Sequence, residues 1–121
     1  MENERKPGRC DFQGWEVVCS GFTLEDCQEM NHLYPESFEV PSWAELNQLE
    51  PGSRVKLIVL PTDPDVGIER LWFEVIETPI DGVPGVAMCI SAPVERHAPI
   101  DLDDMVVFER KDVAAIHGAE Q

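Results

Sequence analysis

Cys10, Cys19, Cys27 and His32 are soft and borderline ligands gathered at the front of this chain, with a Cys-x8-Cys-x7-Cys-x4-His spacing. Three thiolates and an imidazole could close a tetrahedral zinc site, and metal bound this way would contribute directly to folding. The competing reading is that the thiols stay reduced and that Cys27 packs as a small apolar side chain on a helix face. That reading is simpler, so no cofactor or metal is expected. Zinc on Cys10, Cys19, Cys27 and His32 is kept as a lesser alternative.

A second concentration of chemistry lies in Glu69-Arg70-Leu71-Trp72-Phe73-Glu74-Val75, with two large aromatics and three charged groups in seven residues. On a strand, adjacent side chains point to opposite faces. Leu71, Phe73 and Val75 then form an apolar face, and Trp72, Glu74 and Ile76 form the other. Trp43 and Leu46 are expected to cover that second face, because a bare Trp and Ile would make a patch that finds a partner. Arg70 and Glu74 are expected to pair across the sheet. The candidate binding residues are Trp72, Arg70, Glu74 and Trp43, together with Arg96 and His97 from the loop Pro93 to Pro99, where ligand contacts often lie.

Asp101, Asp103 and Asp104 read as a solvated turn, since the EF-hand pattern is absent. His32 and His117 are placed near helix ends, where the dipole favours them. The motifs Gly-x-Ser-x-Gly, His-Glu-x-x-His, Cys-x-x-Cys and a phosphate-binding glycine loop are missing. No catalytic residue is nominated; a non-catalytic binding or regulatory module is the expectation, and a small-molecule-binding protein or minor enzyme with its pocket between the sheet and the loop around His97 is the alternative.

The elements that must position these residues change period midway. Residues 1–13 read as a flexible lead-in, and residues 14–118 as one α+β domain. After a short strand at Trp15 to Val18, Thr23-x-x-Asp26 opens a helix bearing Leu24, Cys27, Met30 and Tyr34, stopped by Pro35. Ser42-x-x-Glu45 starts a second helix with a buried edge of Trp43, Leu46 and Leu49, stopped by Pro51-Gly52. Strands follow at Arg54 to Leu60 and at Arg70 to Glu77, separated by a loop from Pro61 to Glu69. Asp81-Gly82 turns the second of them into Val83 to Ile90. Met105 to Phe108 is read as the last strand, and Asp112 to His117 as a short C-terminal helix. The sum is a strongly bent antiparallel sheet of four to five strands, a small barrel or roll, with two or three short helices.

With 121 residues, 13.6 kDa and 43% hydrophobic residues, the chain can fill a single core. Twenty-four acids against nine bases give a net charge of −15. Between Arg9 and Arg54 there is no lysine or arginine, while nine acids occur there. A surface of this sign repels phosphate backbones and anionic lipid, so neither nucleic acid nor membrane is expected as a partner. It suits solubility, or a basic protein partner steered by charge; a homo-oligomer is also compatible. The first ten residues lack the apolar core of a signal peptide, so the expected location is cytoplasmic.

Two resemblances bear on this reading. The front cysteines come near the Cys3His zinc finger, although the second and third gaps differ and the basic and aromatic RNA-binding residues of those fingers are missing. Phe38-Glu39-Val40-Pro41-Ser42, Pro51-Gly52-Ser53-Arg54-Val55-Lys56-Leu57-Ile58, Glu69 to Val75 and Asp104-Met105-Val106-Val107-Phe108 occur in order. Through them the chain resembles the small bacterial YegJ-like family of unknown function, over about residues 36–114. The resemblance implies a Glu-Arg-x-Trp-x-Glu-Val strand, a hairpin and a Gly-Asp-x-Val-x-Phe strand entry followed by His-Ile. Here Asp103 stands in place of that glycine and Asp112-Val113 in place of His-Ile. The family supplies no activity to carry over.

Overall fold

The computed structural model describes residues 10–13, 16–19, 21–80, 82–94 and 97–117. Its eight strands are β1 (Cys10–Gln13), β2 (Glu16–Cys19), β3 (Phe22–Leu24), β4 (Arg54–Pro61), β5 (Glu69–Glu77), β6 (Gly85–Cys89), β7 (Met105–Phe108) and β8 (Val113–Ile116). Two helices, α1 (Cys27–Leu33) and α2 (Trp43–Leu46), precede β4, and a single 3-10 turn (Arg110–Asp112) links β7 to β8.

β4 is the centre of the architecture. One of its edges pairs with β5, with Val55 opposite Phe73 and Leu57 opposite Leu71. The other edge is shared end to end: β8 takes the first half, with Val55 opposite Ile116 and Leu57 opposite Val113, and β3 takes the second, with Leu24 opposite Val59. β5, β6 and β7 continue antiparallel, and the 3-10 turn brings β8 back to β4. The result is a nearly closed antiparallel barrel with two helices, a small α+β fold. Register shifts at Lys56/Leu57 and Val75/Glu77 mark where the sheet bends, because an extra residue on one strand increases local twist.

Alternation along the strands fixes the core. Val55, Leu57 and Val59 of β4, Leu71, Phe73 and Val75 of β5, Ala87 and Cys89 of β6, and Val106 and Phe108 of β7 point inward and are buried with Leu46, Leu49, Ile100 and Val113. Ile58, on the outward side of β4, is also buried.

Several boundaries differ from the sequence reading. Cys10–Gln13, expected in the lead-in, is a strand paired with Glu16–Cys19. Thr23 lies in β3, and Asp26 is the residue that caps α1, its carboxylate accepting from the Glu29 N–H at 3.0 Å. Thr23 is taken into the sheet because its strand completes the free half of the β4 edge. The C-terminal helix expected at Asp112 to His117 is instead the end of the 3-10 turn and then β8; an open edge on β4 offers a full ladder, which outweighs one turn of isolated helix. The Ser42 cap is present as read, with Ser42 N–H donating to Glu45 Oε1 at 2.8 Å and Glu45 N–H to Ser42 Oγ at 3.1 Å. The β5–β6 connection closes through reciprocal Ile80 and Val83 backbone bonds of 3.0 and 2.8 Å, with Gly82 at φ +79°; Asp81 of that turn lies outside the described residues. Among the described residues, no helix is long and apolar enough to cross a membrane.

Candidate functional site

Trp72 leaves β5 on its outward face, directly opposite Lys56 of β4. Its backbone is held at both groups: the N–H donates to Ser91 Oγ at 2.8 Å, and the carbonyl accepts from the Ile90 N–H at 2.9 Å. The Lys56 ammonium sits 5.1 Å from the indole centroid, a cation over the negative face of the ring and worth about 0.5–1 kcal/mol at an exposed site. His117, just past β8, donates its backbone N–H to the Arg54 carbonyl at 3.0 Å. That bond delivers its ring edge-on to Trp72, with centroids 6.0 Å apart and planes at 88°.

Around this trio is an open groove of about 430 Å³, floored by Trp72 and Lys56, walled on one side by Ala114, Ala115, Ile116 and His117 and on the other by Glu39, Val40, Pro41 and Glu45. The second wall belongs to the segment that carries no lysine or arginine. The aromatic sheet face and the acidic front, separate features of the sequence, are therefore two sides of one groove. Its Trp72 ring, the Lys56 ammonium above it and the carboxylates of Glu39 and Glu45 can recognise a segment by shape and charge.

The expected cover of Trp72 is corrected. Leu46 is fully buried in the core with Phe73, on the opposite side of the sheet. Trp43 is 53% exposed and lines a different cleft with Pro79, Ile80 and Val83. α2 is only one turn long, so seating Leu46 under the barrel leaves Trp43 at its capped end, past the sheet. Glu74 stands opposite Arg54 across β4 and β5, an oppositely charged register pair, as pairing across the sheet requires. Arg70 is exposed and opposite Ile58 rather than a charged residue.

His97 is exposed on the loop after β6 and is not brought near Trp72; it lines a separate cavity of about 530 Å³ with Pro61, Val66 and Pro99 among its walls. Arg96 lies outside the described residues. Lys56 and His117 were not nominated from the sequence. Alternation in Arg54-Val55-Lys56 already put Lys56 outward, but its register with Trp72 is a tertiary fact, and His117 was placed near a helix end.

The four candidate zinc ligands fall on β1 (Cys10), β2 (Cys19) and α1 (Cys27 and His32). Cys10 and Cys19 face each other in the β1–β2 register. Cys27, the first residue of α1, is fully buried, its thiol directed at the carbonyls of Asp112 at 3.5 Å and Glu25 at 3.6 Å. Burial, then the nearby Asp112, Glu25 and Asp26 charges, push that thiol up to about 12, which suppresses the thiolate a metal or a nucleophilic reaction needs. His32 is exposed in the last turn of α1. Cys89 is likewise buried, and its thiol is raised by that burial. Among the described residues, no group of three or more His, Cys, Asp or Glu is arranged to hold a metal ion. In the Asp101–Asp104 turn, buried Asp104 accepts the Asp101 N–H at 2.9 Å, so this carboxylate caps the turn.

Compared with known families, curated proteins and solved structures, the chain matches none.

Proposed function

We propose that this chain is a non-catalytic binding or regulatory module of the cytoplasm that recognises a basic protein partner through the Trp72 groove and the acidic segment beside it. The observation that carries the reading is the joining of the two features: Glu39 and Glu45 wall the groove whose floor is Trp72 and Lys56. A half-buried Trp on a fixed strand is a low-entropy anchor of the kind that dominates interfaces, and the carboxylates steer a basic segment toward it. Membership in the YegJ-like family belongs to the same proposal, resting on the ordered motifs, and adds no activity.

The test is a titration of a purified partner at low and high salt. Binding is expected to weaken with added salt, and Trp72→Ala to weaken it by roughly tenfold or more while circular dichroism stays unchanged. Affinity indifferent both to salt and to Trp72→Ala would overturn the reading.

A second reading is favoured by one observation, the cavity of about 530 Å³ beside His97, Pro61 and Val66. Its size suits a small molecule, since ligand pockets run from about 300 to 1,000 Å³. On that reading a small apolar ligand raises the melting temperature, and Val66→Trp, which fills the cavity, abolishes the rise. A rise that survives Val66→Trp would remove this reading.

A further inference from the structure

β1 and β2 are strands of four residues each, forming their own two-stranded sheet apart from the barrel. Their register pairs Gln13 with Glu16, Phe12 with Val17, Asp11 with Val18 and Cys10 with Cys19. The two cysteines are thus the outermost pair of the hairpin, at the end away from its connection. Directly opposed Cα atoms in an antiparallel ladder are about 4.5–5.5 Å apart, and disulfides span Cα separations of about 4.4–6.8 Å. Register opposition therefore puts the two Cα atoms within the span that a disulfide bridges.

We propose that Cys10 and Cys19 form a reversible dithiol–disulfide site that exchanges with small disulfides of the glutathione class. The exchange balances within the named reactants. The Cys10 thiolate attacks one sulfur of the small disulfide and expels a small thiolate, leaving a mixed disulfide. The Cys19 thiolate then attacks the Cys10 sulfur and expels the second small thiolate. The protein loses two electrons and two protons, and the small disulfide becomes two small thiols.

The fold gives this bond a consequence. A lone two-stranded hairpin is marginal in water, and this one lies alongside β7, whose second edge pairs with no strand among the described residues. Closing Cys10 to Cys19 pins the open end of the hairpin and so steadies the strand pair that neighbours β7. Cys27 and Cys89 are buried in the rest of the fold and stay out of the exchange.

The experiment equilibrates the full chain in mixtures of reduced and oxidised glutathione, quenches with acid and traps free thiols under denaturing conditions. Cleavage after Glu16 and Glu25 separates Cys10, Cys19 and Cys27 for mass spectrometry. The expected result is a chain lighter by two hydrogens, the Cys10 and Cys19 fragments joined, and Cys27 and Cys89 recovered as thiols. Cys10→Ser should instead hold Cys19 as the stable mixed disulfide. Amide exchange of residues 10–19 should slow several-fold on oxidation in the wild type and stay unchanged in the Cys10→Ser, Cys19→Ser double variant. Thiols that persist at Cys10 and Cys19 in the most oxidising buffer, glutathione held on both, or a bond from either one to Cys27 would each overturn the proposal.

Discussion

Asp112 shows how one residue's placement sets a dependence on pH. Its carboxylate accepts the Glu109 N–H at 2.9 Å and lies 3.7 Å from the Lys111 ammonium, yet burial outweighs both and pushes its carboxyl up from 3.8 to about 6. The folded protein therefore holds this proton more tightly than the unfolded chain. Below the unfolded value the group costs nothing; as pH rises through the folded value the favourable contribution is lost, amounting to about 3 kcal/mol at neutrality. Asp112→Asn removes the titration and should still accept the Glu109 N–H. Measured by urea unfolding, wild type should lose about 2 kcal/mol relative to Asp112→Asn between pH 4 and pH 7, and a gap constant with pH would refute the assignment. Asp103 is the one residue other than glycine with positive φ among the described residues, at +74°. Asp tolerates the left-handed region better than most side chains, so Asp103→Gly should be neutral or stabilising and Asp103→Val should cost about 1–2 kcal/mol in the same assay.

At the scale of the element, the devices that end and begin strands carry the largest local effects. Gly85 opens β6 at the β5 bulge, where an added Cβ would collide with the Glu77 carbonyl and lie 2.6 Å from Pro79. Both obstacles are fixed, so Gly85→Ala should destabilise by about 1–3 kcal/mol, the range for forcing volume into a packed site. Loss of the α2 cap in Ser42→Ala should cost about 1 kcal/mol, visible as a lower urea midpoint with an unchanged slope. That cap was legible, because Ser42-x-x-Glu45 is a local signal satisfied by residues three apart. The reason for Gly85 was not legible, because its close neighbours arrive through a register shift. The same distinction explains β3 and β8: both complete the edge of β4, and no property of Thr23 or Ala114 and Ala115 announces a vacant partner distant in the chain.

The whole molecule carries its charge of −15 on a small barrel, and like charges brought together on folding repel. Added sodium chloride should screen that repulsion and raise the urea midpoint, while it weakens capture of a basic partner. The two opposite salt responses, measured on one preparation, separate stability from recognition. If salt lowers the midpoint instead, specific ion pairs outweigh the net repulsion. Phe73→Ala, at the centre of the core, should cost about 3–5 kcal/mol, read from the same unfolding curves.

The sequence by itself determined the antiparallel α+β class, the inward face of Leu71, Phe73 and Val75, the outward position of Trp72, and the acidic stretch without a lysine or arginine. These follow from period, punctuation and composition, all of them local along the chain. Only the tertiary structure decided that β8 closes onto β4, that Lys56 and His117 rather than Trp43 and Leu46 flank Trp72, that Glu39 and Glu45 wall the same groove, and that Cys27 is buried with its thiol against the Asp112 carbonyl. Each of these is a pairing between distant segments, selected by which edges and apolar faces were left to satisfy once the local elements had formed.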